Sequence, residues 1–196
     1  MNSHFFAVLS RMKYIERWAL MRNARHENLS EHSLEVAMIA HALCVIGNTR
    51  FQRDLNADRA AVKALYHDAG EIITGDMPTP VKYYNESIRK AYRQVEDDAE
   101  HQLLGQLPGD LQEEYQNIFA RDEELDLYIK AADKLSALIK CIEERSAGNT
   151  EFLTAEKSTR EALIRMTEGI PEITVFMEEF LPSYGKTLDE LLERND

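Results

Sequence analysis

The chain has 196 residues, 44% hydrophobic and 30% charged, which suits one globular domain, residues 1–196, around a single core. Acidic residues outnumber basic ones 35 to 23, for a net charge of −12. That excludes nucleic-acid polymers and anionic membrane surfaces as partners, since both are bound through basic footprints. A small anionic substrate stays open, but local cations, from a metal or arginine, must then overcome the long-range field.

The opening Met1-Asn2-Ser3-His4-Phe5-Phe6 has no basic segment leading into an apolar run, so no signal peptide is expected. No stretch of about 18 uninterrupted apolar residues suggests a membrane span. Cys44 and Cys141 sit among apolar neighbours, as buried hydrophobes in a reducing cytoplasm.

Glycine and proline are sparse, 8 and 5, and apolar residues recur at three and four almost throughout. The expected fold is therefore all-α, a helical bundle. Ser3 caps a first helix reaching about Met21, with Phe6, Leu9, Met12 and Ile15 inward. Arg22 to Leu29 is a polar connection. Ser30 caps a second helix, with Leu34, Ala37, Met38, Ala40 and Leu43 inward, ending near Gly47-Asn48. A third helix starts at Asn56-Ala57-Asp58, carries His67-Asp68, and stops near Gly75. Two prolines within Asp76-Met77-Pro78-Thr79-Pro80 impose a stiff loop. Thr79 then caps a helix running to Leu104, whose face Glu96, Asp97, Asp98 and Glu100 reads as solvated surface. After a break over Gly105–Gly109 come helices from Asp110 to Phe119, Glu123 to Ala147 (with Leu127, Ile129, Ala131 and Leu135 inward) and Glu151 to Glu168. One more starts at Pro171, and Leu188 to Arg194 closes the chain.

His67, Asp68 and Glu71 end a buried helix, an expensive place for polar groups unless a bound ion compensates. His32, in the first turn of the second helix, and Asp133, flanked by Ala131 and Ala132, can complete a site drawn from three helices. Each also has a plain structural role open to it: His32 as a cap, His67 as a bonded core histidine, Asp133 paired with Lys130 or Lys134. Together, two His and two Asp suit one divalent ion, Mn, Co, Fe or Zn. Glu71, four residues after His67 and three after Asp68, shares their helical face and suits proton transfer, with a surface glutamate as the alternative. Arg17 at a helix end can grip a phosphate, and Trp18, the sole tryptophan, can wall a pocket; surface and core placement are the alternatives. Asp76 can accept from a sugar hydroxyl or merely close a turn. His41 reads as core or as a residue supporting the site from behind, and His4, His26 and His101 carry no assignment.

A lone His, a later His-Asp pair and a distant Asp, here His32, His67-Asp68 and Asp133, resemble the signature of the HD-domain metal-dependent phosphohydrolases. Their context sharpens the resemblance: Arg17-Trp18, Glu31-His32-Ser33, Tyr66-His67-Asp68, Glu71, Thr74 to Lys82 and Ala132-Asp133-Lys134-Leu135 are similar to the bacterial 5′-deoxynucleotidases of that superfamily. The resemblance implies an all-helical HD-type bundle, usually a homodimer, that hydrolyses deoxyribonucleoside 5′-monophosphates to deoxynucleoside and phosphate. It implies His32, His67, Asp68 and Asp133 as metal ligands, with His32, Asp68 and Asp133 also facing the substrate, and Glu71 as the catalytic carboxylate. It gives Arg17 the phosphate, Trp18 the selection for the deoxy sugar, and Asp76, Met77, Pro78 and Thr79 the substrate loop. The rival readings are an HD-type phosphodiesterase or nucleoside polyphosphate hydrolase, and a nucleotide-binding module without turnover.

Overall fold

The structure is a computed structural model describing residues 2–82 and 84–193; the Thr79 side chain and Arg194, the expected end of the last helix, lie outside the described residues. The helices are α1 (Phe5–Leu9), α2 (Leu29–Arg50), α3 (Ala57–Tyr66), α4 (Glu71–Thr74), α5 (Thr79–Lys82), α6 (Glu86–Leu104), α7 (Gly109–Phe119), α8 (Leu125–Ser146), α9 (Leu153–Met166), α10 (Glu172–Glu179) and α11 (Leu188–Leu192). The expected all-α class holds: no strand occurs among the described residues, only one isolated antiparallel bridge between Glu16 and Asn28.

Two apolar clusters organise the bundle. The larger lies between α2, α3, α8, α9 and α10, and includes Val36, Leu43, Ala64, Leu135, Leu138 and Ile173. The smaller joins Phe5 of α1 to Ala69, Leu103, Leu104 and Leu107. α2 is the central helix, capped by a reciprocal box: the Asn28 side chain accepts from the Ser30 and Glu31 amides, and Glu31 accepts from the Asn28 amide. The cap is therefore Asn28, not Ser30. Leu34 and Met38, expected inward, are 54% and 59% exposed, because Val36, Ala37, Ile39 and Ala40 occupy the packed face. Among the described residues α2 alone has the length and hydropathy of a membrane span. It is instead packed against α3, α8 and α10 within the larger cluster.

The expected first helix stops early. α1 passes into a 3-10 turn over Ser10–Tyr14, and Ile15 then turns extended so that Glu16 bridges Asn28. The Arg17 amide donates to the Glu27 carbonyl and the Leu29 amide to the Ile15 carbonyl, both at 2.9 Å. Trp18 adopts φ 58°, which no helix can accommodate. Helical periodicity over Phe6 to Ile15 misleads because 3-10 spacing also repeats near three.

The expected third helix is likewise interrupted. α3 ends at Tyr66, His67 to Gly70 form a turn, and α4 starts anew at Glu71. Ala64 belongs to the larger cluster and Ala69 to the smaller, so the chain must change direction between them. The expected helix from Thr79 to Leu104 also divides, since the Asn85 side chain caps α6 at the Ile88 amide. Leu127 of α8 is 53% exposed rather than inward.

A candidate metal centre at the α3–α4 turn

The turn at the seam of the two clusters places His67 and Asp68 where neither is bound by helix geometry. His67 caps the end of α3, and its Nδ1–H donates to the Ala64 carbonyl at 2.7 Å. A carbonyl can only accept, so the proton sits on Nδ1 and Nε2 faces inward. That Nε2 lies 3.0 Å from Asp68 Oδ2. From α2, fully buried His32 brings its Nε2 to 3.5 Å from the same Asp68 oxygen and 3.3 Å from Asp133 Oδ1 on α8. His32, His67 and Asp68 offer ligand atoms within 4.8 Å of one another, and Asp133 approaches from the His32 side.

Both Nε2 atoms are buried and lack a hydrogen-bond partner. The His67 nitrogen, left as a lone pair 3.0 Å from an Asp68 oxygen, needs a cation between the two, either an imidazolium proton or a metal. The donor set of two imidazoles and two carboxylates fits a divalent ion of the Mn, Co, Fe or Zn kind. In the metal-free protein, burial alone would lower the His67 pKa. The Asp68 carboxylate outweighs it, and the imidazole is pushed up to about 9. Burial likewise opposes ionisation of Asp68, but His67 and His32 hold its carboxyl well below the usual range.

Glu71 opens α4, with its amide donating to the Asp68 carbonyl at 2.9 Å. It does not share one helix face with His67, as continuous helix would require, yet it is buried beside the same carboxylates. Desolvation, then Asp68 and Asp76, push its pKa up to about 9, against the opposing pull of Lys82 and Arg17. It therefore keeps its proton at neutral pH when no metal is bound.

Arg17 reaches the site from the bridge, not from a helix end. Its Nη1 donates to Glu27 Oε2 at 2.9 Å and its Nη2 lies 4.0 Å from Asp133 Oδ1. Burial would lower its pKa, but Glu27, Asp133, Asp68 and Asp76 keep it raised. Trp18 is half-buried, its ring centroid 5.3 Å from that of Phe152, with Nε1–H donating at 3.2 Å to the same Glu27 oxygen. Asp76 follows Gly75, whose φ of 74° turns the chain out of α4. Desolvation raises the Asp76 pKa, and both Arg17 and a Trp18 backbone bond draw it down, so its carboxylate lies beside that pair. Met77 and Pro78 are half-buried on the same loop. His41 is apart, half-exposed and 3.8 Å from Asp58.

Glu27, Glu35 and Ser136 escape the sequence reading. Glu27 lies ten residues from Arg17 in a polar connection, and only the bridge joins them. Glu35 and Ser136 each stand three residues after an expected ligand, His32 and Asp133, a helical spacing that could have flagged them.

A family model described as 5′-deoxynucleotidase YfbR-like matches residues 4–184. A protein of Erwinia tasmaniensis named 5′-deoxynucleotidase is 48% identical, covering 99% of this chain and 98% of its own. One of Pectobacterium atrosepticum, also so named, is 49% identical over 97% and 96%. Among solved structures, an HD-domain phosphohydrolase from Listeria innocua superposes with a TM-score of 0.79, at 24% identity, over 92% of this chain and 88% of that one. The HD phosphohydrolase DatZ of cyanophage S-2L, solved with dA and one catalytic Zn2+ ion, gives 0.67 at 18% identity over 90% and 96%. The helical bundle is thus the HD-domain fold, and with its family model spanning nearly the whole length, the chain belongs to the YfbR-like 5′-deoxynucleotidase family.

Proposed function

We propose that the chain, acting as one HD-type unit over residues 1–196, hydrolyses deoxyribonucleoside 5′-monophosphates to deoxynucleoside and phosphate. The observation that carries the reading is the pair of buried, unpartnered imidazole nitrogens of His32 and His67 turned toward Asp68, with Arg17 and Glu71 beside them. His32, His67, Asp68 and Asp133 would hold one divalent ion. When bound, that ion supplies Lewis acidity to a phosphate oxygen and lowers the pKa of a water.

The chain's own groups do the rest. Arg17, braced by Glu27, holds the phosphate in line through a planar guanidinium. Glu71 handles the proton that hydrolysis moves from water to the departing 5′-oxygen. Trp18, fixed by Phe152 and Glu27, packs on the sugar and leaves no room for a 2′-hydroxyl. Asp76 accepts from a sugar hydroxyl, and Met77, Pro78 and Thr79 complete the loop over the nucleoside.

Cobalt or manganese is the working metal in this reading, with iron and zinc the other fits to a mixed nitrogen and oxygen set. A cytoplasmic location agrees with Cys44 and Cys141, both free and buried, their thiols pushed up to about 12 by burial. A homodimer agrees with the apolar stripe that Leu34 and Met38 leave exposed on α2. The test is phosphate release by metal-stripped protein after adding back Mn, Co or Mg, with deoxy- and ribonucleoside mono- and triphosphates. Release from deoxy monophosphates alone is expected. Equal turnover of ribonucleotides, or preference for triphosphates, overturns the reading.

A further inference from the structure

Behind His32 runs a hydrogen-bonded chain with no part in the chemistry above. Ser136, fully buried on α8, places its Oγ 3.0 Å from His32 Nδ1 and 2.6 Å from Glu35 Oε2, one turn beyond His32 on α2. The direction of these bonds follows from proton counting. The Ser136 hydroxyl donates to Glu35 Oε2, and its single proton is thereby committed to that carboxylate. The Ser136 oxygen can then only accept from His32, which places the imidazole proton on Nδ1. Nε2 is left as a lone pair turned toward Asp68 and Asp133, at 3.5 and 3.3 Å. The opposite tautomer would put an N–H among those carboxylates and block metal ligation.

We propose that Glu35 and Ser136 are positioning residues that lock His32 in its ligating tautomer and orientation. The inference rests on the metal reading above and deepens it. His67 obtains the same lock from the Ala64 carbonyl, a backbone group no substitution can remove. The His32 Nδ1 meets the Ser136 hydroxyl instead, so side chains supply its acceptor. Because Ser136 belongs to α8 and Glu35 to α2, the chain also ties the helix that carries Asp133 to the one that carries His32.

The test is Co(II) affinity of the metal-stripped protein, by visible absorption and by competition with a chelating dye, so that no turnover is needed. Ser136→Ala is expected to weaken binding about 10- to 100-fold, the usual cost of losing an outer partner of a ligating histidine. Glu35→Ala should weaken it in the same direction. The double variant should be no worse than Ser136→Ala, since both act through one bond to His32. Ser136→Thr, which keeps the hydroxyl, should restore affinity. Glu35→Ala, on a half-buried residue, keeps the test available if Ser136→Ala does not fold. Unchanged Co(II) affinity in Ser136→Ala and Glu35→Ala, with binding lost in His32→Ala, overturns the positioning role and leaves the metal site standing. Unchanged affinity in His32→Ala overturns both.

Discussion

Removing Glu144 tests how the Arg17 arm is held in place. This α8 carboxylate is 2% exposed and accepts from the Ala24 amide at 2.7 Å, the Arg25 amide at 3.1 Å, the Asn149 side chain at 2.7 Å and Lys140 Nζ at 2.5 Å. Lys140 in turn donates to the Arg25 carbonyl. The segment between Trp18 and Glu27, which closes the bridge bearing Arg17, is thereby pinned to α8. Burial alone would raise the Glu144 pKa, but Lys140, the two amides and Asn149 outweigh it and hold it at about 2, against 4.5 unperturbed. At about 1.36 kcal/mol per pH unit that difference is worth about 3 kcal/mol. A carboxylate with a depressed folded pKa contributes fully above its unfolded value, and the contribution is lost as pH falls through the folded one. Truncating a buried, paired charge costs about 3–5 kcal/mol by a separate route, in agreement. Glu144→Ala should therefore lose about 3 kcal/mol in urea unfolding at pH 7, measured on metal-free protein so that metal release does not intrude. The gap from wild type should hold down to about pH 4.5 and narrow steadily toward pH 2. A gap that is absent at pH 7, or constant from pH 7 to pH 3, refutes the reasoning.

Three further outcomes are expected. Glu71→Ala should keep metal and nucleotide binding while kcat falls about 10²- to 10⁴-fold, the usual share of a general acid or base; near-normal turnover removes Glu71 from the reaction. Glu27→Ala frees Arg17 and Trp18 together. With a charge-assisted hydrogen bond worth about 1.5–3 kcal/mol, KM for a deoxynucleotide should rise about tenfold or more and the preference over the ribonucleotide should shrink; a raised KM with unchanged sugar preference separates the two residues. In metal-free protein the raised His67 pKa contributes stability that is complete below about pH 6.5 and disappears as pH rises through about 9. The urea midpoint should fall across that window more steeply in wild type than in His67→Asn, whose remaining slope is that of the raised Glu71 carboxyl, and equal slopes contradict the imidazolium.

The site and the fold were legible in the sequence to different depths. His67-Asp68 and Glu71 are adjacent or one turn apart, and Asp133 stands among alanines on a core helix, so local pattern exposes their cost of burial. What pattern could not show is how Arg17 arrives. Its position depends on backbone bonds between residues 15 to 17 and 27 to 29, and periodicity carries no trace of a two-residue bridge. The same holds for Glu27, whose single oxygen serves both Arg17 and Trp18. Leu34 and Met38 illustrate the remaining gap: on a helix apolar nearly all round, spacing alone does not choose the buried face.

By itself the sequence determined the all-α class, most of the helix-forming segments, the loop up to Pro78 and the residue types able to hold a divalent ion. These follow from local properties: periodicity, proline geometry and the chemistry of each side chain. Only the tertiary structure decided where the helices break and which groups meet. The turn after Tyr66 exists because Ala64 and Ala69 are buried in different clusters, and that turn aims His67 and Asp68 at His32. The bond chain from Glu35 through Ser136 to His32 likewise depends on two helices about a hundred residues apart in sequence packing side by side. Long-range packing sets those distances, and no local signal encodes them.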